Sequence, residues 1–172
     1  MVYSPRPMEI RMTFEDRSYK LGETIDLTVE VDPAREVRVR SGTLALILEE
    51  RLSEAKMGRQ MGVGGASALQ GGAPIRTTDY VPMQQTLSVK SKTSVHSSTE
   101  FLGEATLTPE GPNAYRTSLR IEPTLPSRLN EANEREKDAK SSISFHWTLV
   151  VRLDVVRGRN SKKERPITVA IE

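Results

Sequence analysis

The densest chemistry in this chain is cationic. Arg157, Arg159, Lys162, Lys163 and Arg165 place five positive side chains within nine residues, on either side of Gly158 and Asn160. Such a cluster can hold an anion or an acidic peptide through charge-assisted hydrogen bonds. The same residues also make an ordinary solvated hairpin tip, where charge discourages strands of other molecules from adding on. They are the candidate partner-contact residues.

Other reactive groups are sparse. The two histidines, His96 and His146, lie in a Ser/Thr-rich stretch and within a strongly alternating stretch, and both read as surface or boundary residues. No Asp or Glu cluster near them has the spacing of a metal site. Gly62-Val63-Gly64-Gly65-Ala66-Ser67 is rich in glycine, yet it lacks the Gly-Lys-Ser/Thr ending and the strand-to-helix setting that aim backbone N–H groups at a phosphate. No nucleophile-elbow motif accompanies the serines. With no cysteine in 172 residues, disulfides, thiolate metal sites and thiol catalysis are excluded. The expectation is a chain with no catalytic residue, no metal and no cofactor.

Composition narrows the partners. Lys and Arg total 25 against 23 Asp and Glu, a net charge of +2, which is too balanced to argue for nucleic acid. The N-terminal MVYSPRPMEI lacks the apolar core of a secretory signal, and no window approaches the ~18 apolar residues that span a bilayer. A soluble, cytoplasmic protein that binds other proteins is the expectation, with its oligomeric state open.

The elements that must position these groups are strands. From Ile143 to Val156 the apolar residues Ile143, Phe145, Trp147, Leu149, Val151, Leu153 and Val155 alternate, the pattern of a long strand with one face in a core. Met8 to Phe14 and Ile25 to Val31 alternate likewise, as do Tyr115 to Ile121 and the closing Ile167 to Ile171. Between Val37 and Leu52 the phase changes, with Val37 and Val39 odd and Leu44, Leu46 and Leu48 even. A bulge near Ser41 and Gly42 reconciles them, because one extra residue turns the following side chains over.

Residues 53–79 are different in kind. Six of the eleven glycines fall between Gly58 and Gly72, and the segment has too little apolar surface to offset its ordering entropy, so a flexible insertion is expected there. Strand-like material from Tyr80 to Val95 is diluted with Ser, Thr, Lys and Gln. Its stretch from Thr86 to Thr99 is polar on both faces, as an exposed edge that can accept a partner's strand would be. Pro123 and Pro126 precede a polar loop at residues 130–140. About eight strands, closely spaced turns and no long amphipathic helix make this an all-β chain, a β-sandwich in a single domain over residues 1–172.

Three landmarks in this order resemble the arrestin-like fold of arrestins and retromer-type cargo subunits. Tyr19-Lys20-Leu21-Gly22-Glu23 with the strand to Val31 is similar to the early Y-x-x-G-E turn of such domains. Tyr115 to Ile121 running into Pro123-Thr124-Leu125-Pro126-Ser127 is similar to their passage before a long strand. Phe145 to Val151 resembles that strand, closed here by Pro166 to Val169. The resemblance covers most of residues 8–172, one such domain where arrestins carry two, and the glycine-rich insertion has no counterpart. It implies a non-enzymatic protein-interaction module, a scaffold or adaptor. A second reading is an immunoglobulin- or fibronectin-type sandwich that binds carbohydrate or serves in an assembly, against which stands an aromatic content of 5%. A hydrolase on a sandwich scaffold ranks third, since it needs a cleft of convergent titratable groups.

Overall fold

A computed structural model of the chain describes residues 8–57, 85–125 and 141–171. Nine strands run through them: β1 (Met8–Phe14), β2 (Ser18–Lys20), β3 (Thr24–Pro33), β4 (Val37–Met57), β5 (Gln85–Leu102), β6 (Ala105–Leu107), β7 (Ala114–Arg120), β8 (Ser141–Val155) and β9 (Ser161–Ala170). They form two sheets, β1-β3-β7 and β2-β9-β8-β4-β5, with β6 paired to β4. The all-β sandwich expected from the alternating pattern is the observed architecture.

The core lies between the sheets. Ile10, Met12, Ile25, Leu27, Val29 and Leu119 from the small sheet face Leu44, Leu46, Leu48, Trp147, Leu149 and Val151 from the large one. The odd positions of β8 from Trp147 to Val155 are buried, as their period of two requires. Each fully buried residue of this size contributes roughly 1.5–3 kcal/mol of hydrophobic stabilisation.

Three bulges set the faces of the long strands. In β4 the register against β8 steps from Val39↔Val155 to Ser41↔Asp154, so Arg40 is the extra residue and the phase change after Val39 is accommodated. In β5 the register against β4 steps twice, past Phe101 and past His96. Both bulged residues turn their rings toward the interior: Phe101 lies against Tyr115 at 5.8 Å, and His96 meets Trp147. Gly42 makes room for the first, since a Cβ there would stand 2.8 Å from Phe101 Cζ.

The Tyr-x-x-Gly-Glu stretch closes one end. Gly22 takes φ +86°, a conformation side chains disfavour. Its N–H donates to the Ile121 carbonyl at 2.9 Å, and the Ile121 N–H returns a bond to the Glu23 carbonyl at 2.8 Å. The turn is thereby stitched to the end of β7. Tyr19 is buried, its hydroxyl donating to the Glu15 carbonyl at 2.6 Å.

Several sequence expectations change. Strand β4 runs to Met57, paired with β5 as far as Gln85, so residues 53–57 of the expected insertion are strand; residues 58–79 lie outside the described residues. So do Tyr80, Val81, Met83 and the polar segment at 130–140. Strand β2, not foreseen, pairs in parallel with β9 over three residues. Strand β9 begins at Ser161 rather than near Pro166. Pro166 is tolerated because β2 pairs only with Thr168 to Ala170, leaving β9 without a second neighbour at the proline.

Candidate functional site

The basic stretch divides into a turn and a strand. Arg157 and Arg159 occupy the β8–β9 turn and are exposed. Lys162, Lys163 and Arg165 stand on β9, where alternation sends them to opposite faces. Lys162 pairs with Glu164 on the outer face. Arg165 turns the other way, donating to the Met12 carbonyl at 3.2 Å and covering the Phe14 ring at 5.0 Å. It ties β9 to β1 across the sandwich, a structural task. The five cations predicted as one contact are therefore not one surface.

What remains is a hydrogen-bonded turn with uncommitted guanidinium groups. Gly158 at φ +141° lets the chain reverse, and the Asn160 side-chain carbonyl accepts the Val155 N–H at 3.1 Å. The Val156 N–H donates to the Arg38 carbonyl at 3.0 Å, fastening the turn to β4. Neighbouring cations are neutralised locally: Arg38 pairs with Glu104, and Arg40 lies 3.9 Å from Asp154. Arg157 and Arg159 have no carboxylate partner among the described residues. That end of the sandwich presents two free positive charges on an ordered backbone.

The two outer faces contrast. On the small sheet the outward residues are almost all charged or hydroxylated, among them Glu9, Arg11, Glu30, Asp32 and Arg116. Hydrogen bonding from Arg11 holds the Glu9 carboxyl below its usual range. On the large sheet, Val95, Ile47, Thr148 and Pro166 form one row across four strands, with Ala45 and Val150 in the row beside it. Val95 is 62% exposed, and a shallow depression lined by Ile47, Glu49, His146, Thr148, Val150 and Arg152 runs along this face. His146 sits on it opposite Glu49, the surface position expected for it.

His96 holds the boundary position expected for it, but the bulge in β5 turns it inward. It is half-buried and faces inward, its Nε2 3.0 Å from the Glu122 carbonyl, which requires the proton on that nitrogen. The strand around it is the outermost of the large sheet, as its dilute polar composition suggested. Yet Lys90 and Lys92 point to the inner face opposite Leu52 and Glu50, and two bulges interrupt the edge. Inward lysines and bulges are devices that discourage an added strand, so β5 is a poorer acceptor than its composition suggested.

Among the described residues three buried polar groups lack hydrogen-bond partners: the Glu50 carboxylate, Ser97 Oγ and Trp147 Nε1. Glu50 is only 2% exposed, between Lys92 and Phe145 on the neighbouring strands. Among the described residues no group of three His, Asp or Glu could hold a metal ion. The described aromatic residues, Phe14, Tyr19, Phe101, Tyr115, Phe145 and Trp147, belong to the core or pack against it. None stands out as a platform for a sugar ring. No helix among the described residues is long and apolar enough to cross a membrane.

The geometry defines a two-layer all-β sandwich. No family model and no curated protein sequence matches the chain. Among solved structures, it is similar to the crystal structure of Spo0M, a sporulation control protein from Bacillus subtilis, with a TM-score of 0.54 at 12% identity. The match covers 97% of this chain and 51% of Spo0M, so the chain spans about half the length of that structure. The likeness is one of fold.

Proposed function

We propose that this chain is an arrestin-like sandwich acting as a non-enzymatic protein-interaction module, a scaffold or adaptor, and that an acidic surface of its partner meets the β8–β9 turn. A reducing, cytoplasmic setting suits a chain with no cysteine to oxidise. The observation that carries the reading is the pair of exposed, unpaired guanidinium groups at Arg157 and Arg159 on a turn fixed by Asn160, Gly158 and the Arg38 carbonyl. Ordering the backbone in advance lowers the entropy lost on binding, and arginine recognises carboxylates in a planar, two-pronged geometry. The fold likeness to a sporulation control protein supports a regulatory, non-catalytic use of the sandwich and names no partner.

The test is comparative capture. The wild-type chain and the Arg157→Glu/Arg159→Glu variant serve as parallel baits in a native extract. The reading predicts specific partners that the wild type retains and the variant loses. Retention of the same partners by both baits, or turnover of a substrate by the purified chain, contradicts it.

A further inference from the structure

We infer that the outer face of the large sheet is a self-association surface, on which a second copy of this chain packs face to face. The surface is separate from the β8–β9 turn, and the inference does not depend on what that turn binds.

The first argument is the asymmetry of the two outer faces. On the large sheet Val95, Ile47, Thr148 and Pro166 lie side by side on β5, β4, β8 and β9 and give the outer face an apolar stretch. The small sheet's charged outer face shows the alternative. Val150, beside that row, is 8% exposed although it points outward, set between Ala45 on β4 and Glu164 on β9.

The second argument is charge. Arg152 lies on this face directly opposite Lys162 on β9, a like-charge cross-strand pair that destabilises a sheet. Lys162 is relieved by Glu164, but Arg152 has no carboxylate partner among the described residues. At the other end of the same depression stands Glu49, across from His146.

These features are self-complementary. A two-fold axis lying in the interface, across the strands and between the Thr148 and Val150 rows, sets β8 of one copy antiparallel over β8 of the other. The Ile47 and Thr148 row then packs on the smaller Ala45 and Val150 row, and Arg152 falls over the partner copy's His146, next to its Glu49. Two equivalent Arg152–Glu49 contacts result, as an isologous interface requires. Glu49 already accepts two bonds from Arg51, at 3.0 and 3.1 Å, and a carboxylate retains further lone pairs for a second guanidinium. Four strands about 4.8 Å apart and seven residues at about 3.3 Å make a patch of roughly 400–450 Å². Standard interfaces bury ~800 Å² on each partner, so the dimer is weak and depends on concentration.

The experiment is sedimentation velocity on the full chain from about 10 µM to about 1 mM, the range in which weak complexes form. The wild type should move from monomer toward dimer. Arg152→Glu sets like charges against Glu49, and Glu49→Arg sets like charges against Arg152, so each alone should remain monomeric. Mixed in equal amounts, the two variants should recover the dimer, because both contacts are then between opposite charges. Thr148→Arg, at an outward position near the axis, should abolish association while leaving the fold's circular dichroism unchanged. A wild type that stays monomeric throughout, or a dimer that persists in Thr148→Arg and both single charge variants, overturns the inference.

Discussion

His96 stands edge-on to Trp147, their ring centroids 4.9 Å apart and their planes at 88°. One ring comes from a bulge in the edge strand β5 and the other from the buried face of β8, with β4 between them. Since His96 also meets the Glu122 carbonyl, it links the large sheet's edge to the segment that leaves β7. A bulge has here converted a polar edge position into a link between layers.

Replacing Trp147 with alanine should cost about 3–5 kcal/mol, the usual price of emptying a buried aromatic site. Edge-to-face ring pairs add about 0.5–1.5 kcal/mol beyond burial, so a double-mutant cycle with His96→Ala should show coupling of that size. Urea unfolding of the two single variants and the double variant measures it. Strict additivity would mean that the rings are neighbours without being partners.

Glu50 is buried with both oxygens unpaired, an arrangement that opposes stability. Leaving a buried polar group unsatisfied costs about 1–3 kcal/mol, so Glu50→Leu should raise the unfolding free energy by a similar amount. Denaturant midpoints decide between this and a loss, which would show that Glu50 has a partner in solution.

The Glu23 carboxyl is held below its ordinary range, first by the backbone N–H of Lys20 at 2.9 Å and then by Arg17 at 3.0 Å. A folded value below the unfolded one means that its contribution is complete above the unfolded value, near about 4.3, and fades as pH falls through the folded one. Glu9 and Glu49, lowered chiefly by their hydrogen bonds from Arg11 and Arg51, carry the same sign. Stability should therefore decline below about pH 4.3, and Glu23→Gln should flatten that decline. Urea midpoints between pH 7 and pH 3 give the comparison; an identical acid limb in the variant would contradict the assignment.

Gly22→Ala forces a side chain into a left-handed backbone at the turn bonded to Ile121. A loss of about 1–2 kcal/mol is expected. Thermal unfolding checks it, and an unchanged midpoint would mean that the turn relaxes freely.

Much of this architecture could be read from the residues. The strand from Ile143 to Val155 announced itself because one of its faces is apolar at every second position, and the shift of phase after Val39 pointed to a bulge near Ser41 and Gly42, which the structure places one residue earlier, at Arg40. The bulges at His96 and Phe101 left no such trace: a strand of Ser, Thr and Lys has no apolar phase to break, so His96 read as a surface or boundary residue with nothing to mark its inward turn. Charge hid the start of β9, where Lys162 and Lys163 looked like turn residues because every residue from Lys162 to Pro166 is exposed and no apolar alternation marks the strand there. Strand β2 depends on a parallel contact with β9, some 150 residues away, that no local pattern encodes. The candidate site was legible as a concentration of charge, but the division between Arg157 and Arg159 on one hand and Arg165 on the other required the fold.

The central claim is that Arg157 and Arg159 meet an acidic partner. It is tested most directly by titrating a captured partner against the wild-type chain and Arg157→Glu/Arg159→Glu at low and high ionic strength. Exposed charge contacts weaken as salt shortens the screening length from about 30 Å at 0.01 M to about 8 Å at 0.15 M. The account predicts wild-type affinity that falls with salt and a variant that binds more weakly with little salt dependence. Equal affinity and an equal salt response in the two proteins would contradict it.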